Sequence, residues 1–363
     1  MTNVEFIGFV GPHEASETRP LQGKAFDPDY IVRVAKAHED GGFDRVLTAF
    51  SARSPESILI AQHALNHTTR LAAMIAHRPG FTAPTVAARQ LATLDQLSGG
   101  RVAVHIITGG SDEELQQDGD RTTKDERYAR TDEYLDIVRQ EWTSPTPFDY
   151  DGKFYRVRQA FGGIKPVNQI PVYFGGQSDA AIPVAGKHAD IYALWGETHA
   201  QVRETIARVR AAAAPYGRTP QFSLSLRPIL ADTEDKAWAR ADAIKARVKE
   251  LRQSAGLSTI GHAPPNAGSQ RLLDAAALGE RLDKRLWTGV AALTGAQGNS
   301  TSLVGDPDQV ADALLDYYDL GVTTFLIRGF DPFDDAVDYG RNLIPRTREL
   351  IAARAAERPA RAA

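Results

Sequence analysis

Between Thr85 and Gly110 a helix with an apolar stripe, a Ser98-Gly99-Gly100 turn, a short strand and a Thr108-Gly109-Gly110 loop follow one another without a break. A helix that feeds directly into a strand, with a glycine-rich loop at that strand's carboxyl end, is the repeating unit of parallel α/β folds. That end is where such folds put their chemistry. The alternation extends over most of the chain. Apolar runs predict strands over 4–10, 45–48, 70–76, 101–108, 171–176, 189–194, 222–230 and 323–327. Helical periodicity lies between and after them, at 29–40, 55–65, 85–97, 125–142, 178–187, 199–216, around Trp238, 306–320 and 333–356. Eight strands alternating with helices imply a parallel sheet, and closure into a (β/α)8 TIM barrel accounts for the count better than an open sheet does.

Two segments depart from the alternation. Residues 148–155 place Asp151-Gly152 between alternating aromatic residues and predict a hairpin outside the barrel. Residues 254–301 are rich in Gly, Ala, Ser, Asn and Pro with weak periodicity, which predicts an insertion between strands seven and eight. A segment this long suits a lid or a subunit contact better than a connector. The expected organisation is one barrel domain over 1–353 and an Arg- and Ala-rich tail, 354–363, that frays.

Composition narrows the function classes. A chain of 363 residues, 42% hydrophobic, can bury a single large core. The net charge of −4 gives no general reason to bind nucleic acid or an anionic membrane, so a small-molecule ligand is expected. The start of the chain lacks a signal-peptide pattern and no apolar run is long enough to span a membrane, so a cytoplasmic location is expected. The absence of cysteine excludes disulfides, thiolate catalysis and Cys-ligated zinc. His13, His77 and His105 lie near predicted strand ends in no compact ligand spacing, so no metal site is expected. Each is a proton relay or hydrogen-bonding candidate, or else an ordinary solvated or core histidine. With no Gly-x-Ser-x-Gly elbow and no Walker loop, hydrolase and nucleoside-triphosphatase readings lose support.

Candidate chemistry gathers at strand ends. Phe174-Gly175-Gly176-Gln177-Ser178-Asp179 puts two glycines and a hydroxyl before a helix, suited either to cradling a phosphate or to a tight turn capped by Ser or Asp. Thr108 with Gly109 and Gly110 either receives a flat heterocycle or makes a turn. Arg227 and Arg328 each interrupt an apolar strand, and a buried cation needs an anionic partner: a neighbouring carboxylate or an anionic substrate. Trp195 either walls a ligand pocket or plugs the barrel top.

The block Pro84 to Arg101 (PTVAARQLATLDQLSGGR), with Thr108-Gly109, Glu126-Arg127-Tyr128, Tyr173-Phe174-Gly175-Gly176, Trp195-Gly196 and Leu303-Val304-Gly305, resembles the bacterial luciferase-like flavin monooxygenases. Within that superfamily the chain is most similar to the FMNH2-dependent alkanesulfonate monooxygenases. The resemblance implies a (β/α)8 barrel that takes FMNH2 from a separate NAD(P)H-dependent flavin reductase. With O2, such an enzyme cleaves a carbon–sulfur bond and releases sulfite and an aldehyde. It further implies that Gly175, Gly176 and Ser178 hold the FMN phosphate near Tyr128, that His105 and Thr108 line the isoalloxazine pocket, that His13 and Trp195 stand at the barrel mouth, and that the chain forms a homodimer or homotetramer.

The alkanesulfonate enzymes carry a Cys at the position of Pro55, a catalytic His at that of Arg227, an Arg at that of Ser225 and a Tyr at that of Phe330, and their mobile-loop Arg has no clear counterpart around 294–299. The expected catalytic set is therefore Arg227 and Arg328 as an anion clamp with His13 and Trp195. A polar organosulfonate such as sulfoquinovose is expected to suit this set better than an alkyl chain does. An F420-dependent oxidoreductase on the same barrel and a non-catalytic flavin-binding protein are the alternatives.

Overall fold

The computed structural model of the chain describes residues 4–257, 266–296, 298 and 300–361, the side chains of 357–361 excepted. Eight strands, β1 (Glu5–Val10), β2 (Arg45–Thr48), β3 (Ala72–His77), β4 (Val102–Ile106), β5 (Val172–Gly175), β6 (Ile191–Trp195), β7 (Gln221–Leu226) and β8 (Thr324–Ile327), close into a barrel. Each strand lies beside its neighbours in sequence, and β1/β8, β8/β7, β3/β4 and β4/β5 pair in parallel. The predicted (β/α)8 barrel is the observed fold, with most strands shorter than their apolar runs.

The helix that feeds into β4 is Pro84–Ser98, with Pro84 in its first turn and Gly99 at φ 71° ending it in the left-handed conformation. The residues after it form a brace. Buried Asp95 accepts the backbone N–H groups of Val102 (3.3 Å) and Val167 (2.8 Å). Arg101 donates to the carbonyls of Leu65, Leu71 and Ser98 at 2.8–2.9 Å. Helix and strand are thus held in one geometry by groups that would otherwise be buried without partners.

By density of internal contacts the chain forms two compact units. One comprises the residues up to Val46, Ala193–Ala207 and Gln221 onward, and the other Leu47–Tyr192 with Arg208–Pro220. In the second unit the predicted hairpin has strands Phe148–Asp151 and Arg156–Ala160. Its connection is the four residues 152–155 rather than the Asp-Gly pair, because Glu133 accepts the N–H groups of Lys153, Phe154 and Tyr155 at 2.8–3.1 Å and organises the loop.

In the first unit the predicted strand 222–230 breaks at Arg227-Pro228. Proline offers no N–H to continue the ladder, and the Arg227 N–H instead donates to Thr301 O at 2.9 Å. The insertion therefore starts earlier than expected. Ile229–Leu230, Ser302–Gly305, Leu286–Trp287 and Arg281–Leu282 form a separate four-stranded sheet in that order, accompanied by helices Glu234–Ser254, Ala267–Leu278 and Gly289–Thr294. Trp287, Val290, Ile229, Val248 and Phe330 share its core. Residues 258–265, 297 and 299 of the expected lid lie outside the described residues. The closing helix, Ile344–Arg361, runs through most of the tail expected to fray. Among the described residues no helix is long and apolar enough to cross a membrane.

Candidate active site

Strand register separates the histidines. The Phe174 ring meets that of Tyr128 (centroids 6.4 Å apart), which belongs to the helix Lys124–Thr143, so Phe174 faces outward and Tyr173 inward. His105 is paired with Tyr173 and therefore points into the barrel. His77 is paired with Ile106 and points the other way, where its Nε2 and the Tyr134 hydroxyl share a hydrogen bond of 2.6 Å. His77 is thus a core histidine, and its Tyr134 contact occupies it structurally. Burial lowers the pKa of both imidazoles to about 4, so both are neutral at pH 7. Among the described residues the buried Nδ1 of His105 has no hydrogen-bond partner.

The end of β5 assembles three of the expected cofactor residues. Gly176 has φ +134°, and a Cβ there would lie 2.5 Å from the Tyr128 hydroxyl oxygen and 3.0 Å from Ala181 Cβ. Only glycine permits Tyr128 to close on this turn, and Gly176→Ala is expected to cost about 1–3 kcal/mol in chemical denaturation. The following helix, Ala181–His188, starts three residues later than predicted, and no side chain caps it. Asp179 instead pairs with Arg208 at 3.0 Å, and the Ser178 carbonyl accepts the N–H groups of Ala181 and Ile182. The reading of Ser178 or Asp179 as a cap is therefore incorrect. The Ser178 hydroxyl oxygen is buried with no hydrogen-bond partner among the described residues.

Thr108 is buried just beyond β4. The next residue, Gly109, has φ +92°, and a Cβ there would lie 2.7 Å from Leu115 Cδ1. Leu115, on the short helix Asp112–Gln117 that the sequence reading missed, thereby fixes the Thr108-Gly109 turn.

The two arginines lie at the carboxyl ends of β7 and β8, as expected, but a resident carboxylate joins them. Arg227 is 0% exposed; its Nη1 is 2.8 Å from Glu17 Oε2, its Nη2 donates to Gly329 O at 3.0 Å, and its guanidinium lies 3.6 Å over the Phe330 ring. Arg328 Nη2 is 3.6 Å from Glu17 Oε1, with its side chain 29% exposed and its guanidinium over Phe9. Burial and the Arg227 charge lower the Arg328 pKa to about 10, while the two arginines hold the Glu17 carboxyl below the usual range against the opposing effect of burial. Of the two partners the sequence allowed for a buried arginine, the carboxylate is present. The expected clamp thus also contains a carboxylate: it is an arginine–carboxylate–arginine group with one positive charge in excess, in which Arg227 is wholly internal and Arg328 and Glu17 are partly exposed.

His13 lies in the loop after β1, its Nδ1 2.7 Å from Ala25 O. With Phe9, Tyr30, Arg328 and Tyr339 it lines a cavity of about 20 Å³, room for about one water. Trp195 ends β6 half-buried against Leu272, Ala291 and Ala296 of the insertion. Fully buried Glu197 receives the Nε and Nη2 of Arg271 at 3.0–3.1 Å. These contacts tie the helix Ala267–Leu278 to the end of β6.

The family model described as luciferase-like monooxygenase matches residues 4–324. The chain belongs to that family. Solved structures agree on the fold: a riboflavin lyase, RcaE, with modified FMN and riboflavin is 20% identical over 96% of this chain and 92% of its own, with a TM-score of 0.79. The EDTA monooxygenase EmoA from Chelativorans sp. BNC1 is 20% identical over 96% and 94%, at 0.77. An F420-dependent secondary alcohol dehydrogenase with an F420-acetone adduct is 18% identical over 95% and 99%, at 0.67.

In this luciferase-like family member, then, the structure brings Gly175, Gly176, Ser178 and Tyr128 together at one turn and places Arg227 and Arg328 around Glu17. Glu17 and the Arg271–Glu197 fork were missed. The interrupted strands called for an anionic partner, a neighbouring carboxylate or an anionic substrate, without indicating which carboxylate it would be. A third charged cluster, Asp132, Asp136 and His188, has metal-like spacing but already holds an ammonium, with Lys187 Nζ 2.8 and 2.9 Å from the two carboxylates.

Proposed function

We propose that the chain is a two-component flavin monooxygenase that binds FMN, received as FMNH2 from a separate NAD(P)H-dependent reductase, and oxidises an organosulfonate with O2. One oxygen atom enters the aldehyde and the other leaves as water. The carbon–sulfur bond breaks to release sulfite, and FMNH2 supplies the two electrons. An alkanesulfonate or a sulfonated sugar such as sulfoquinovose is the substrate class.

The observation that carries this reading is the buried Ser178 hydroxyl behind the Gly175-Gly176 turn, which has no hydrogen-bond partner among the described residues. An uncompensated buried hydroxyl is costly, and a phosphate at a helix start would satisfy it. His105 Nδ1, likewise without a partner among the described residues, supports a hydrogen-bonding ring at the inner face of β4. These residues fit a phosphate-bearing flavin. Gly175, Gly176 and Ser178 hold its phosphate with Tyr128 packed behind, and Thr108 and neutral His105 line its ring. Reduced FMN supplies the electrons and the site of O2 activation. Trp195 and His13 border the substrate, and Arg227 and Arg328 clamp its anionic group, Arg328 being the one it meets first. A homodimer or homotetramer and a cytoplasmic location belong to the same proposal.

FMN is expected to bind more tightly than riboflavin, and Ser178→Ala is expected to weaken FMN binding by about 1–3 kcal/mol while leaving riboflavin binding unchanged. Fluorescence titration checks both, and equal affinities for the two flavins in both proteins would remove the phosphate site. Sulfite release from a panel of sulfonates, with FMN, NADH and a flavin reductase, tests the reaction. Binding of F420 with no affinity for FMN would instead make the chain an F420-dependent oxidoreductase.

A further inference from the structure

The loop from Gly11 to Asp27, between β1 and the helix Pro28–Asp40, is long for a barrel connection, and loops of this length in compact domains serve a function more often than a mere join. It is closed on itself through Asp27 N–H to Pro12 O (2.8 Å) and His13 Nδ1–H to Ala25 O (2.7 Å). It is also tied to the loop after β8. The hydroxyls of Ser16 and Thr18 both donate to Phe330 O (2.5 and 3.1 Å), and Arg19 Nε lies 3.0 Å from Asp331. Between these fastenings the strap carries Glu17, whose two carboxylate oxygens each face one guanidinium, at 2.8 Å for Arg227 and 3.6 Å for Arg328.

Glu17 thus occupies the position that an oxyanion from outside would take. Arg227 has no surface exposure, so no external anion reaches it while the strap is in place. Arg328 is partly exposed, more loosely held by Glu17, and belongs to a group with a net positive charge. An arriving anion has a first point of attachment there. Exchanging one carboxylate for another oxyanion keeps both guanidiniums compensated, so the exchange avoids the cost of stranding a buried charge. The Glu17 side chain, already about one-third exposed although its Oε2 is buried, is released to water.

We infer that Glu17 is a resident counter-ion which the anionic group of the substrate displaces, so that the strap 11–27 opens when an oxyanion binds Arg227 and Arg328. This rests on the anionic-substrate reading above and adds to it a competitor built into the chain. The consequence is selectivity, because a ligand without an oxyanion cannot replace Glu17 and leaves the strap shut.

Methanesulfonate, a probe without a sugar or a long alkyl chain, separates this inference from the proposed reaction, because its binding to the flavin-free chain is read without turnover. In calorimetry Glu17→Gln is expected to bind methanesulfonate about ten-fold more tightly than the wild type or better, since the neutral amide no longer competes for charge-assisted bonds. In the wild-type protein, methanesulfonate but not an equal concentration of chloride is expected to speed amide exchange in residues 13–19. Equal or weaker affinity in a natively folded Glu17→Gln, or no binding by either protein, overturns the inference. Strap exchange in the wild type that stays unchanged up to the solubility of the probe overturns it as well, and this arm decides alone if Glu17→Gln does not fold. A failed sulfonate panel alongside a positive binding result would instead count against the proposed reaction and leave the displaceable counter-ion standing.

Discussion

Arg227→Met is expected to lower the unfolding free energy by about 3 kcal/mol, toward the lower end of what breaking a buried ion pair costs. Its guanidinium is fully buried, so the substitution removes the 2.8 Å partner of Glu17, the donor to Gly329 O and the stack on Phe330 at once. Methionine fills much of the space, which holds the packing loss down, and Arg328 retains a contact with Glu17, which keeps the cost below the maximum. Arg328→Met should behave differently. Its side chain is 29% exposed and its Glu17 contact is 3.6 Å, so the stability change should stay within about 1 kcal/mol, as for other partly exposed pairs. Sulfonate turnover should nevertheless fall about 100-fold, the equivalent of about 2.7 kcal/mol. Urea midpoints and kcat/KM for the two variants separate what each arginine contributes to the fold from what it contributes to substrate binding. If Arg227→Met proves as stable as the wild type, the buried network contributes nothing net to the fold. If both variants turn over sulfonates normally, neither arginine meets the substrate.

The barrel was legible because its strands are short apolar runs in a regular order, which is a local pattern. The brace at Asp95 and Arg101 was legible only as an unusual block of sequence; its physical content, five backbone groups spread from Leu65 to Val167 and satisfied by two side chains, exists only in three dimensions. The insertion was located but not resolved into elements, because two-residue strands such as Arg281–Leu282 carry no alternation to read. Ser178 was singled out for a hydroxyl beside two glycines, yet whether it caps the next helix depended on where that helix starts, and helix boundaries are weakly encoded. Arg227 and Arg328 announced themselves by interrupting apolar strands. Glu17 did not, since a carboxylate in a polar loop looks like any solvated acid until the loop is folded over its partners.

Two buried histidines make stability depend on pH. His38 is 2% exposed, with its Nδ1–H donating to Val34 O at 2.7 Å and its ring edge against Phe43; His77 is 6% exposed and hydrogen-bonds the Tyr134 hydroxyl. Desolvation lowers each pKa to about 4, from an ordinary value of 6.5. In the unfolded chain both imidazoles take up a proton as pH falls below about 6.5, whereas in the folded chain they stay neutral until about pH 4. Stability is therefore full above about pH 6.5 and is lost progressively as pH falls toward 4. At about 1.4 kcal/mol per pH unit per group, moving from pH 7 to pH 5 is expected to remove about 4 kcal/mol from the pair. Burial raises the carboxyl pKa of Asp44 and of Asp335, and these groups act in the opposite sense, gaining stability on acidification. Urea unfolding at closely spaced pH values gives the proton uptake directly from the slope, with about two protons expected at pH 5 from this pair and about one more from His105, whose imidazole burial also lowers to about 4. A flat profile between pH 7 and pH 5 would mean that these imidazoles titrate as they do in water, and that the barrel opens around them far more readily than their burial implies.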